Sequence, residues 1–122
     1  MNIVSLVGRL TSDPVMRFAE GSGYVCTYTV AVSRSISKQK IDDNPDIQTA
    51  DFIRCVCFGN NASFVSSYFS KGSPIAVSGR LQISSYTDSE GNRKWSTEVI
   101  TTDHCIIGNK HVKEVDTQNE AS

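Results

Sequence analysis

The chain of 122 residues carries almost no net charge, with 12 lysines and arginines against 13 aspartates and glutamates. The two signs interleave and no polybasic arm is present, so a grip on nucleic acid or membrane through a bulk positive field is excluded. Any phosphate contact must come from local placement of a few cations. Long apolar runs are also missing: no stretch approaches the about 20 residues of a membrane-spanning helix. The start, Met1-Asn2-Ile3-Val4-Ser5-Leu6, opens directly into a strand pattern without the charged region and apolar block of a secretion signal. A cytoplasmic location is the expectation. Histidine is scarce, with only His104 and His111, and neither joins a C-x-x-C pair in a metal-site spacing. A carboxylate pair on one face, a nucleophile motif and a phosphate-cradling glycine loop are all lacking, and Gly21-Ser22-Gly23 reads as a turn. No enzyme, metal centre or cofactor is therefore expected. The four cysteines, Cys26, Cys55, Cys57 and Cys105, lie in apolar strand-like runs and read as reduced small hydrophobes.

What the chain does have is two β-like runs, 51–58 and 75–86, that place aromatic and basic side chains on one face. A period of two puts Phe52, Arg54, Val56 and Phe58 on one side of the first run and Ile53, Cys55 and Cys57 on the other. The second run sets Ile75, Val77, Gly79, Leu81 and Ile83 against Ala76, Ser78, Arg80, Gln82, Ser84 and Tyr86. For the first run, periodicity leaves two readings equal: an outward platform, or ordinary core with Arg54 snorkelling at an edge. The second run tips the balance, because Arg80 and Tyr86 share a plainly polar face. Rings interleaved with guanidinium groups on an open sheet suit unstacked bases and their phosphates, so the sheet reads as a platform for single-stranded nucleic acid.

The length is that of one domain able to bury a core without staples. A first strand over about 2–11 is apolar on both faces, with Val4, Leu6 and Leu10 on one and Ile3 and Val7 on the other, which predicts burial by the core and by another subunit. Turn signals follow at Ser12-Asp13-Pro14 and Gly21-Ser22-Gly23, flanking a short segment with Arg17 and Phe18, before a long strand from Tyr24 to about Ser35. Residues 37–49 form a polar insertion, in which Lys38 and Lys40 are opposed by Asp42, Asp43 and Asp46. Asn60 and Asn61 predict the cap of a short helix whose Phe64, Val65, Tyr68 and Phe69 face the core, with Gly72 as its stop. A hairpin turn over 88–92 joins the fourth strand to a return over 94–101, and a last short strand holds Cys105, Ile106 and Ile107. The order predicts an all-β fold: a five-stranded, partly open barrel of the OB type with one short helix between strands 3 and 4, covering 1–108. Residues 109–122 read as a polar, disordered tail.

Six pieces recur in one order. They are Leu6-Val7-Gly8-Arg9-Leu10-Thr11 with Asp13-Pro14 and Arg17; 50–59 from Ala50 to Gly59; Tyr68-Phe69-Ser70-Lys71-Gly72-Ser73; Val77-Ser78-Gly79-Arg80-Leu81; Ser85-Tyr86 before the Gly91 hairpin; and Thr97-Glu98-Val99. In these the chain resembles the bacterial and phage single-stranded DNA-binding proteins over most of 1–108. The resemblance implies an OB-fold subunit of a homotetramer that wraps single-stranded DNA with little sequence preference, protecting it in DNA replication, recombination and repair. By position, Phe52, Phe58 and Tyr86 match the family's base-stacking aromatics. Arg54 and Arg80 are the first candidates for backbone contact, followed by Arg9, Arg17, Arg34 and Lys71.

Departures from the family pattern shape the expectation. Ile36 stands where many members carry a further stacking aromatic, Gln82 and Ser84 replace residues that are often basic, and Trp95 reads as a structural residue. No acidic, phenylalanine-ended tip follows Gly108 in the sequence, which reads either as a short form or as a chain cut before such a tip, so recruitment of proteins through it is not expected of this chain. The alternative is an OB-fold protein-interaction module of a replication or restart complex, with weak DNA binding.

Overall fold

In the computed structural model, which describes residues 1–108, the chain forms six strands and two helices. They are β1 (Val4–Leu10), β2 (Val15–Ala19), β3 (Gly23–Ser33), α1 (Lys38–Asp43), β4 (Ala50–Phe58), α2 (Asn60–Tyr68), β5 (Pro74–Thr87) and β6 (Arg93–Ile106). The sheet order is β1-β5-β6-β4-β3-β2, and β1 also pairs with β3. That extra pairing closes β1, β5, β6, β4 and β3 into the five-stranded OB barrel, while β2 remains outside it as a free edge. All of these pairings are antiparallel except β4 with β6, which run parallel.

Closure depends on two glycines within the sequence motifs quoted above. A Cβ on Gly8 would run into the Ala31 carbonyl and Val30 Cγ1, at the seam where β1 passes from β5 to β3. A Cβ on Gly79 would strike the Ile100 carbonyl, next to the irregularity between Ser78 and Gly79 that bends β5 over β6. Only a residue without a side chain lets these backbones approach so closely.

The barrel interior holds Leu10, Cys26, Tyr28, Val30, Cys55, Cys57, Ile75, Val77 and Val99, with Ala62, Val65 and Phe69 contributed by α2 and the residue after it. Phe69 is fully buried and Phe64 packs on its edge, ring centroids 5.9 Å apart, so the aromatic pair plugs the core as the helical spacing predicts. The cap differs from expectation: Gly59 is the N-cap, at φ 61°, with no side-chain cap bond, and the helix ends at Tyr68 rather than at Gly72. Three cysteines are core residues as expected, whereas Cys105 is exposed on β6. Burial pushes the Cys55 thiol up to about 12, and raises Cys57 further through its contact with Cys26 and its own burial, which keeps both protonated.

Three local elements differ from the sequence expectation. Segment 15–19 is a strand, β2, paired with β3 along its whole length from Val15↔Thr27 to Ala19↔Gly23. The polar insertion contains α1, a six-residue helix with no buried residue, started by Ser37, whose hydroxyl accepts from the Lys40 N–H at 3.3 Å. Strand β6 is continuous from Arg93 to Ile106 instead of two pieces. Beyond the barrel, β5 and β6 continue together as a hairpin arm whose turn is held by Asp88, its carboxylate accepting from the N–H groups of Glu90 (3.0 Å) and Asn92 (2.9 Å). There Leu81 and Ile83, expected on the buried side, are exposed because the arm has outrun the core. The expected tail, 109–122, and His111 lie outside the described residues.

Candidate nucleic-acid interface

Register determines which side chains share the outer surface. Cys55 and Cys57 are in the core, so Phe52, Arg54 and Phe58 project outward, with Phe52 64% and Phe58 43% exposed. Across β3 these residues face Ala31, Thr29 and Val25, and Val56 faces Thr27. The rows extend to the neighbouring strands: Ala31 pairs with Arg9 on β1, and Val25 with Arg17 on β2. In the other direction Val56 pairs with Ile100 on β6, and Ile100 with Arg80 on β5. Further out on the arm, Gln82 faces Glu98, Ser84 faces Ser96, and Tyr86 faces Lys94.

One outer face therefore carries Phe52 in a row with Arg9, Phe58 in a row with Arg17, Arg80 near the centre, and Tyr86, 53% exposed, on the arm. Its floor is a small second hydrophobic cluster of Val25, Val56 and Ile100. Small residues at 27, 29 and 31 leave the rings proud of the surface, which a flat base can approach face-on.

The cations of this face are not equally available. Arg54 Nε donates to Glu98 Oε2 at 3.1 Å, and Glu98 is itself largely covered. Arg34 donates to Asp51 Oδ1 through both Nε (3.1 Å) and a terminal nitrogen (2.6 Å). That hydrogen bond and charge hold the Asp51 carboxyl below, and the Arg34 guanidinium above, their ordinary values. Arg9 donates to the Gly72 carbonyl at 3.1 Å. Arg17 and Arg80 make no ion pair among the described residues. Lys71 lies off the strand rows, in a turn whose backbone N–H donates to Asp13 Oδ1 at 2.7 Å. The structure thus brings Phe52, Phe58, Tyr86, Arg54, Arg80, Arg9 and Arg17 onto one surface and sets apart Lys71 and Arg34, the latter beyond the end of β3 and bound to Asp51.

Sequence reasoning missed Lys94 opposite Tyr86, which counting outward from the 88–92 turn would have found. It also missed Phe18 and Tyr24, both exposed. Trp95, read as structural, is 63% exposed on the reverse side of the arm from Tyr86, opposite Ser85.

Behind the face, the Tyr28 hydroxyl lies 2.9 Å from both Thr101 Oγ1 and His104 Nε2. Burial raises the Tyr28 phenol and pushes the His104 imidazole down to about 4, so both are neutral at ordinary pH. His104 Nδ1 is buried without a hydrogen-bond partner. This polar knot belongs to the interior and not to the platform.

Comparison with known proteins gives the chain a family. Residues 1–107 match the Single-strand binding protein family. The chain is 42% identical over 101 residues to a single-stranded DNA-binding protein of Clostridium perfringens, a match covering 82% of this chain and 61% of that protein. It is 44% identical over 108 residues to one from Fusobacterium nucleatum (88% and 67% covered) and 41% identical over 113 residues to one from Clostridium tetani (90% and 74% covered). Against the C. perfringens protein, this chain spans about three fifths of the relative's length.

Proposed function

The chain belongs to the single-strand binding protein family, and from that premise we propose that it binds single-stranded DNA with little sequence preference. Phe52, Phe58 and Tyr86 stack on bases. Arg9, Arg17 and Arg80 meet phosphates directly, Arg54 and Arg34 do so by exchanging a carboxylate partner for a phosphate, and Lys71 contributes at the periphery. The protein acts by binding and not by catalysis, as a cytoplasmic homotetramer that protects exposed strands during replication, recombination and repair. The observation that carries this is the continuous outer face, where three exposed rings alternate with guanidinium groups over an apolar floor.

Stacking on each ring contributes about 1–3 kcal/mol, so three rings in each of several subunits offset the near-zero net charge. Self-association uses the outer side of β1, where Ile3 and Val7 are exposed apolar residues beside Ala76. Among the described residues no helix is long and apolar enough to cross a membrane.

The second reading, a protein-interaction module with weak DNA binding, is favoured by the two ion pairs that occupy Arg34 and Arg54. Fluorescence anisotropy of a labelled oligothymidine and of a labelled duplex separates the two. Tight single-strand binding at moderate salt with the duplex ignored supports the DNA-binding function; equal, weak binding to both supports the interaction module.

A further inference from the structure

Outside the platform, an exposed aromatic pair stands at the tip of the β2–β3 hairpin. Phe18 and Tyr24 face each other across the strands, with ring centroids 5.4 Å apart and planes at 78°. They are 68% and 49% exposed, so most of this pair is offered to solvent instead of being spent on the core. The hairpin that carries them is well fixed. The Ser22 N–H donates to the Ala19 carbonyl at 3.0 Å, and the Gly59 N–H donates to the Tyr24 carbonyl at 2.9 Å, tying the hairpin to the end of β4 directly after Phe58.

The pair continues the platform around an edge. Phe58 faces Val25, and Val25 faces Arg17, so Phe58 and Arg17 lie in one outer row, two strand spacings or about 10 Å apart. Arg17 is exposed and has no ion-pair partner among the described residues. Strand β2 is the free edge of the sheet, and the residue next to Arg17 is Phe18, whose side chain points to the reverse face with Tyr24. A strand leaving Phe58 meets a free guanidinium at the edge and then, one residue on, two exposed rings. Glu20, in the turn beside the pair, carries an opposing charge.

We infer that Phe18 and Tyr24 form a further base-stacking site, occupied by single-stranded DNA that leaves the platform past Phe58 and turns over β2 at Arg17. The inference rests on the DNA-binding function proposed above. It adds a subsite that short oligonucleotides do not need and longer ones use.

The test compares oligothymidines of about 4 and about 16 nucleotides, the lower and upper ends of what one OB-fold domain covers. The Phe18→Ala/Tyr24→Ala protein is expected to lose at least about fivefold in affinity for the longer strand and to keep its affinity for the shorter. An unchanged affinity for the longer strand overturns the inference and leaves the platform standing. Failure of the unsubstituted protein to bind either strand overturns the proposed function itself. A second measurement does not depend on how the alanines affect folding: Phe18→Trp in a Trp95→Phe background places one tryptophan at the site. Quenching of its fluorescence by the longer strand supports stacking there, and an emission unmoved by saturating strand overturns it.

Discussion

Arg54 Nε donates to Glu98 Oε2 at 3.1 Å across the seam where β4 and β6 run parallel, so a central cation of the platform is already paired in the free protein. Under the proposed function, a phosphate reaches Arg54 only by displacing this carboxylate. Glu98 thereby holds Arg54 in place on the sheet and, on the proposed function, competes with phosphate for it.

Removing that competitor is expected to tighten binding. Glu98→Gln frees Arg54 for phosphate and should raise the affinity for oligothymidine by about two- to fivefold, the range of an exposed ion pair. It should also steepen the dependence of log K on log salt by about 0.7, the increment for one more phosphate contact on a single strand. Titration at several salt concentrations measures both; a shallower slope in the variant contradicts the role given to Glu98.

Interior histidine makes the fold sensitive to acid. His104 is held near 4 by burial, below the ordinary value near 6.5, so the unfolded chain takes up a proton between these limits that the folded chain refuses. The stabilisation is complete above about pH 6.5 and is lost as pH falls towards 4. Because His104 is only partly buried, solvent screening reduces the effect to about 1 kcal/mol between pH 7 and pH 5. Urea unfolding at the two pH values should show this loss, and His104→Gln should make the two curves approach one another.

Gly79 is a steric requirement of the barrel. Gly79→Ala puts a methyl group against the Ile100 carbonyl, and the strands must separate to admit it. A loss of about 1–3 kcal/mol in urea unfolding is expected, as for other overpacked sites. An unchanged urea midpoint would mean that β5 and β6 cross less closely than described.

The proposed function puts self-association on the outer side of β1. Val7→Glu places a charge on the exposed apolar face and should reduce the mass seen by light scattering towards that of one 13.4 kDa chain, with the far-ultraviolet spectrum retained. An oligomer of undiminished mass would exclude this face from the interface.

Much of this architecture is legible in the residues because the barrel strands alternate cleanly. On β4 the pattern marks two faces but not which is inside; the buried cysteines beside Cys26 settle that, and Phe52 and Phe58 become surface. Periodicity fails on β5, where Leu81 and Ile83 continue an apolar pattern past the end of the core they would pack against, since alternation says nothing of where the neighbouring elements stop. Helix α1 escapes notice because it buries nothing and so leaves no apolar stripe. The ion pairs of Arg54 and Arg34 join residues 44 and 17 positions apart and depend on register, which no local pattern encodes. Phe18 and Tyr24 likewise become a pair only once β2 and β3 are aligned around the Gly21 and Gly23 turn.

The most direct test of the stacking platform is the affinity of the Phe52→Ala/Tyr86→Ala protein for a labelled oligothymidine at moderate salt, beside the unsubstituted protein. Both rings are exposed, so the fold should be retained, while loss of two stacked bases at about 1–3 kcal/mol each should weaken binding by about thirtyfold or more. Unchanged affinity in a folded double variant would contradict the platform and place the DNA on some other surface of the barrel.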